Sequence, residues 1–219
     1  DIDEMREALS SGTDAQKEEA SIEIMSKAFS KMSDEVGILI DARTRDLVVA
    51  KDEINSSIRY AAKLQNALLP KMFPGDIDIN VEWRPRDLVG GDIYFIKDLP
   101  DRVYIAVVDC TGHGVPGAFL SILARSHLDK AIMSDDYQSA GAYLSKVHEL
   151  LKDTLNRADQ KNTSEEGFDG GVCIYYRSER RLEFAGAKAS IFQVKVDGAT
   201  ETGGDRKSVG STRMKEDFE

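Results

Sequence analysis

The sequence predicts an α+β protein: one long helix, then a domain of antiparallel strands with helices packed against them. Three observations carry this reading. Residues 17–69 contain no proline and a single glycine, Gly37. At Ile77 the apolar period changes from about 3.5 to two. The later segments then run in the order hairpin, two helices, strand meander, which suits largely antiparallel sheets with helices laid on them.

In the front segment Ile22, Met25, Phe29, Met32, Val36 and Leu39 step alternately by three and four, the seam of a coiled coil. The pattern slips by four residues and resumes at Ile40, Leu47, Ile54, Ala61 and Leu68. Such a slip reads as a stutter, which locally unwinds a supercoil without ending it. Pro70 and Pro74 stop the helix. A stripe this narrow needs a partner, and its a/d character favours a second copy over the chain's own core for residues 22–54. Residues 54–69 broaden to include Ile58, Tyr60, Leu64 and Leu69 and are expected to pack on their own domain. The boundary is placed accordingly, with a helical coiled-coil linker over 1–57 and a globular domain over 58–219.

Strands are predicted at 77–83, 90–97, 102–109, 168–176, 181–186 and 190–196, separated by turn-formers such as Asp98-Leu99-Pro100-Asp101 and Asp197-Gly198. A helix should begin at Pro116 and run to about Met133, because proline suits the first helical position. A second helix is expected over 137–157, with Tyr137, Ala140, Leu144, Val147, Leu151 and Leu155 on one stripe. A polar loop is expected at 158–167. Residues 200–219 show no clear period, and the chain stops without a closing element.

Charge and composition exclude several functions. The 219 residues carry 29 basic and 39 acidic side chains, a net charge of −10, and neither half is basic, so bulk attraction to a nucleic-acid backbone is disfavoured. No apolar run approaches membrane-spanning length. Two cysteines, Cys110 and Cys173, make neither a disulfide scaffold nor a zinc spacing, and the default compartment is a reducing cytoplasm.

The informative chemistry lies between Arg84 and Gly114. With a four-residue loop at Asp98–Asp101, Lys97 faces Arg102 and Asp92 faces Val107. Asp109, two residues further on, then projects from the same face as Asp92, as a diagonal pair with backbones roughly 7–8 Å apart. Such carboxylates repel unless cations sit between them, and two oxygen-seeking divalent ions about 3.5–4 Å apart suit the gap. Gly90 and Gly91 leave room for close approach. Thr111-Gly112-His113-Gly114 leads into a helix N-terminus, which favours anions. The bland alternative makes Asp92 a turn residue and Asp109 an ordinary acid before a helix.

Val89-Gly90-Gly91-Asp92-Ile93-Tyr94 and Asp109-Cys110-Thr111-Gly112-His113-Gly114 resemble the two signature motifs of bacterial serine/threonine phosphatases of the SpoIIE/RsbU type, a branch of the PPM (protein phosphatase 2C-like) family. The likeness extends to Ala61-Ala62-Lys63-Leu64-Gln65-Asn66-Ala67-Leu68-Leu69-Pro70 upstream and Arg181-Leu182-Glu183-Phe184-Ala185-Gly186-Ala187 downstream, covering about residues 58–210 in order. A SiaA-like membrane-receptor phosphatase is the relative the resemblance suggests.

The resemblance implies a PPM-type α/β-sandwich, two Mn²⁺ or Mg²⁺ ions, and hydrolysis of phosphoserine or phosphothreonine on a regulatory partner, by analogy a STAS-type antagonist. Asp92 and Asp109 match metal-binding aspartates, with Asp109 as the bridge. The Cys110 backbone carbonyl matches a further ligand, and Asp169 falls near an accessory-metal aspartate. Arg84 or Arg86 would neutralise the substrate phosphate; the sequence leaves that choice open. Water would attack phosphorus directly, so Cys110 is no nucleophile. Relatives place further metal-ligating acids in Thr-Asp-Gly and late Asp-Asp segments that this chain lacks, so the C-terminal part of the fold is expected to be missing and metal affinity and activity weak.

His113 sits in a glycine turn and is expected to be no ligand, since the ions prefer oxygen. His127, His148, Trp83 and Cys173 read as packing residues. Gly90-Gly91-Asp92 also opens the GGDEF nucleotide-cyclase motif, but there the glycines occupy a hairpin tip, and the Asp109 block would go unexplained. A third reading is a non-catalytic, dimeric phosphoprotein-binding module. Ala28-Phe29-Ser30-Lys31-Met32 resembles the end of a HAMP signalling linker, which implies a parent anchored in the inner membrane with this part in the cytoplasm.

Overall fold

The structure, a computed structural model, describes residues 10, 13–133, 139–158, 166–211 and 217–219. The chain divides between Ser56 and Ser57 into two compact units. Helix α1 runs Asp14–Leu68, its length permitted by the absence of proline and its end set by Pro70. In the first unit the helix leaves its apolar seam bare: Ile22, Met25, Phe29, Met32, Val36 and Leu39 are all exposed, Phe29 by 68%. None of the described helices is long and apolar enough to cross a membrane.

In the second unit, strands β1 (Asp92–Asp98), β2 (Arg102–Cys110), β3 (Phe168–Tyr176) and β4 (Arg181–Ala187) form one antiparallel sheet in the order β1-β2-β3-β4. Helices α2 (Gly114–Met133) and α3 (Ala140–Ala158) connect β2 to β3. Strands β5 (Ser190–Lys195) and β6 (Gly198–Gly203) make a separate two-stranded ribbon. The core joins Phe95, Tyr104 and Val108 of the sheet to Leu128 of α2 and to Tyr143, Leu144, Val147 and Leu151 of α3. The Tyr143 hydroxyl donates to the Leu128 carbonyl at 2.8 Å, fastening the two helices together. Ser139 caps α3 by accepting from the Ala142 amide at 3.2 Å.

Several expectations are corrected. Residues 77–83 form no strand, although Ile77, Ile79, Val81 and Trp83 alternate as half-buried against exposed neighbours. The segment alternates in burial, but none of the described strands pairs with it; period two reports which way side chains face, not whether the backbone has a partner. Helix α2 begins at Gly114, two residues before Pro116, since a proline anywhere in the first turn forfeits no helical hydrogen bond. Strand β6 was not foreseen within the residues read as aperiodic from 200 on. Its alternation carries no apolar signal because both of its faces are exposed. Tyr137 and most of the loop placed at 158–167 lie outside the described residues.

The end of α1 meets its domain through Ile58, with Leu69 just beyond, as expected, but not through Tyr60 or Leu64. Tyr60, Leu64 and Leu68 stay exposed, while Ile58, Ala61, Ala62 and Leu69 are half-buried around Gln65, which is only 2% exposed.

Candidate metal centre

The hairpin turn falls at 99–102, where the Leu99 amide donates to the Arg102 carbonyl at 2.9 Å. Asp98 therefore faces Val103, and Asp92 faces Asp109 directly, not Val107 as the sequence suggested. The correction is a slip of two residues, which preserves the face and removes the diagonal offset. Asp109 in turn faces Asp169 on β3. Asp92, Asp109 and Asp169 thus form a row across three adjacent strands, at the end of the sheet remote from the β1–β2 turn.

As direct cross-strand partners, Asp92 and Asp109 project from the same face of the sheet. Burial first, then Asp92, then the charge of Asp169, pushes the Asp109 carboxyl above the ordinary carboxylate range. Asp169 is engaged differently, with the Lys188 ammonium 3.5 Å from its Oδ2.

The surrounding backbone is closely fitted. A Cβ on Gly91 would lie 2.6 Å from the Cys110 carbonyl oxygen, and one on Gly117 would lie 2.6 Å from the Gly112 carbonyl oxygen. Glycine at both positions lets β1 and the start of α2 close on the turn after Asp109. Thr111 is tied to the Gly167 carbonyl by its amide at 2.9 Å and its hydroxyl at 3.0 Å. Trp83 donates from Nε1 to the Asp92 carbonyl at 3.3 Å, so it braces the site from the unpaired segment.

Sequence reasoning missed Gln65. Its Nε2 donates to the Gly90 carbonyl at 2.6 Å and to Ser121 Oγ at 2.8 Å, while Oε1 accepts from the Gly90 amide at 3.2 Å. One buried amide therefore joins the end of α1, the loop before Asp92 and helix α2. A polar residue at a core-facing position of α1 was the available signal.

Arg86 borders a cavity of about 220 Å³ that also reaches Asp92, Asp109 and His113. Arg84 is mostly exposed and pairs with Glu82. His113 Nδ1 sits 3.8 Å from Asp87. The Cys110 thiol is buried in the core, and that burial, with Asp109 and Asp92 nearby, pushes its pKa far up; Cys173 is pushed up to about 11 by burial. Neither is a reactive thiolate.

The donors at the row are oxygens, carboxylate and carbonyl, which suit a hard divalent cation. Among the described residues no three His, Cys, Asp or Glu side chains converge closely enough to hold a metal ion. Asp92, Asp109 and the Cys110 carbonyl fit such an ion in kind but supply only part of a coordination shell.

An antiparallel sheet with helices on it, and acids in a row at one end, is similar to the architecture of PP2C-type phosphatase domains. Residues 100–207 match the family model of Stage II sporulation protein E (SpoIIE). Over that segment the chain resembles the SpoIIE/RsbU-type phosphatases of the PPM family. It is 32% identical over 129 residues to the phosphoserine phosphatase RsbU of Bacillus subtilis (strain 168), covering 58% of this chain and 34% of that one. The structure is similar to the SiaA-PP2C domain of Pseudomonas aeruginosa, with a TM-score of 0.61 and 32% identity over 74% of this chain and 64% of that one. It shares its fold with the PP2C phosphatase domain of SpoIIE from Bacillus subtilis, at a TM-score of 0.51 and 18% identity over 61% of this chain and 36% of that one. The chain thus spans about a third of RsbU and just under two thirds of the SiaA structure.

Proposed function

We propose that this chain is part of a metal-dependent protein serine/threonine phosphatase that hydrolyses phosphoserine or phosphothreonine on a regulatory partner of the STAS type. The observation that carries the reading is the Asp92–Asp109–Asp169 row on three neighbouring strands. PP2C-type phosphatases generally depend on Mn²⁺ or Mg²⁺. Two such ions, when bound, supply the positive charge that a transferring phosphoryl group and an attacking water require.

The chain's own residues have separate tasks. Asp92 and Asp109 would hold cations through their carboxylates, with the Cys110 carbonyl as a further oxygen, and Asp169 would join them once released from Lys188. Gly91 keeps side-chain atoms out of the approach. Arg86 orients phosphoryl charge at the cavity mouth, a role that Arg84, paired with Glu82, is poorly placed to share. Water forms the new bond to phosphorus as the serine or threonine ester bond breaks, and the proton that the water gives up passes to the leaving oxygen. In this reading the domain works in the cytoplasm, where Cys110 and Cys173 stay reduced, and the bare seam of α1 pairs two copies, as in a signalling linker fed by a membrane-anchored segment.

Phosphate release from a phosphoserine peptide with Mn²⁺ tests this in the native full-length protein. Asp92→Ala and Asp109→Ala should each abolish it; unchanged release in either would sink the proposal. For the 219-residue chain alone, calorimetry should give weak metal binding, and two tight sites would contradict the incomplete shell. The Lys188–Asp169 pair favours a second reading, a phosphoprotein-binding module without turnover, for which binding without phosphate release in Mn²⁺ would be decisive. The cyclase reading has the geometry against it. Gly90-Gly91-Asp92 sits at the open end of the hairpin, opposite its turn.

A further inference from the structure

A second cavity, of about 710 Å³, opens beside the acidic row and lies within the size range of ligand sites. It is lined by Asp109 and Asp169 and also by Lys188, Arg206 and Ser208. In a chain of net charge −10, cations gathered beside carboxylates call for an explanation.

The placement of these cations is built by the backbone. Lys188 follows β4 with a φ of 51°, a left-handed conformation that favours glycine or asparagine and is sparsely populated by lysine. Its amide donates to the Asp205 carbonyl at 2.6 Å, and the Asp205 amide donates to the Gly186 carbonyl at 2.8 Å. Ala187 and Asp205 form a parallel bridge. Turn and loop are thereby locked together, which brings Lys188 and Arg206 to one cavity. Lys207, next in the chain, is buried and committed to Asp205, at 3.3 Å, and to the Asp217 carbonyl. Arg206 is exposed and has no ion-pair or hydrogen-bond partner among the described residues.

We propose that Lys188 and Arg206 form a cationic wall that receives the phosphoryl group of the substrate. The proposal rests on the phosphatase reading above and adds its specificity determinants. A phosphoserine carries close to two negative charges and three acceptor oxygens. The Arg206 guanidinium engages phosphoryl oxygens in a planar fork and Lys188 exchanges Asp169 for one of them as a point charge, joining Arg86 from the neighbouring cavity, which shares Asp109, Gly112 and His113 with this one. The same exchange frees Asp169, so that substrate arrival and completion of the acidic row are linked.

The test uses the isotope-labelled 219-residue chain, titrated with orthophosphate and with a phosphoserine tripeptide, with Mg²⁺ and without, and read by amide chemical shifts. Saturable shifts should appear at residues 186–189 and 205–208. Lys188→Asn combined with Arg206→Gln should weaken both ligands about tenfold or more, the loss of charge-assisted hydrogen bonds, whereas Lys146→Gln, on α3, should change nothing. Asparagine tolerates the left-handed backbone, and Arg206→Gln alone gives a usable answer if the double variant does not fold. Absence of saturable shifts in both metal conditions, or parental affinity in the double variant, overturns the wall. If Asp92→Ala abolishes hydrolysis in the native protein while the wall variant binds as the parent does, the phosphatase reading stands without the wall. If Asp92→Ala hydrolyses normally, that reading fails whatever the phosphate titration shows.

Discussion

Asp92 and Asp109 face each other directly across β1 and β2, on one face of the sheet. Two acids in such register destabilise the sheet when both are ionised, and only a proton or a cation relieves them. The arrangement is costly for the fold alone and useful for holding a cation.

Asp109→Asn should therefore stabilise the metal-free chain at neutral pH by about 0.2–1 kcal/mol, the scale of a like-charge cross-strand pair. The sign follows from the raised Asp109 pKa. The folded state holds the proton more tightly than the unfolded chain, so the contribution of this group to stability is full below about pH 4 and is lost as pH rises through the raised value. Urea unfolding in a chelator, across that range, should show the decline in the parent and a flatter profile in the variant. A destabilised variant would contradict the account.

Gln65 holds Gly90 and Ser121 through one buried amide. Gln65→Leu keeps the bulk but leaves the Gly90 amide and carbonyl without their buried partner. The expected cost is about 1–3 kcal/mol. Hydrogen exchange should locate it, with the Gly90, Gly91 and Asp92 amides losing protection ahead of the core of α3. Uniform loss across the domain would mean that Gln65 is only a packing residue.

Two histidines make the fold sensitive to mild acid. Burial, then Lys152 and Lys207, lower the His148 pKa against the opposing Glu149 and Asp217; burial and then Lys130 lower that of His127. Neutral His148 accepts the Gly210 amide on Nδ1 at 3.0 Å, while His127 meets the Thr154 hydroxyl at 3.0 Å. Both rings bind protons less readily folded than unfolded, so their contribution to stability is full above about pH 6.5 and is lost as pH drops through the lowered values. His127→Gln with His148→Gln should shrink the difference in urea midpoint between about pH 7.5 and about pH 5.5. An undiminished difference would assign the acid sensitivity elsewhere.

Phe29 and Met25 lie bare on α1. If the seam pairs two copies, Met25→Glu with Phe29→Glu should cost the dimer about 2 kcal/mol or more for each apolar side chain lost from the interface. Sedimentation should then move toward the monomer. A parent chain that is already monomeric with residues 1–54 present would remove the basis for pairing.

The sequence by itself determined α1, the β1–β2 hairpin and which face of that hairpin carries the acids. Proline-free residues 17–69 dictated α1, period two dictated the β1–β2 hairpin, and the same periodicity placed Asp92 and Asp109 on one face. Tertiary structure decided the rest. It set the register that makes those acids direct partners and left residues 77–83 without a strand to pair with. It also chose Gln65, rather than Leu64 or Tyr60, as the buried side of α1, and brought Lys188 and Arg206 together. The division has a physical cause. Side-chain period is a local property, and a two-residue slip leaves it unchanged. Register and convergence depend on how distant segments fit, through close approaches such as Gly91 on the Cys110 carbonyl and bonds such as Lys188 to Asp205.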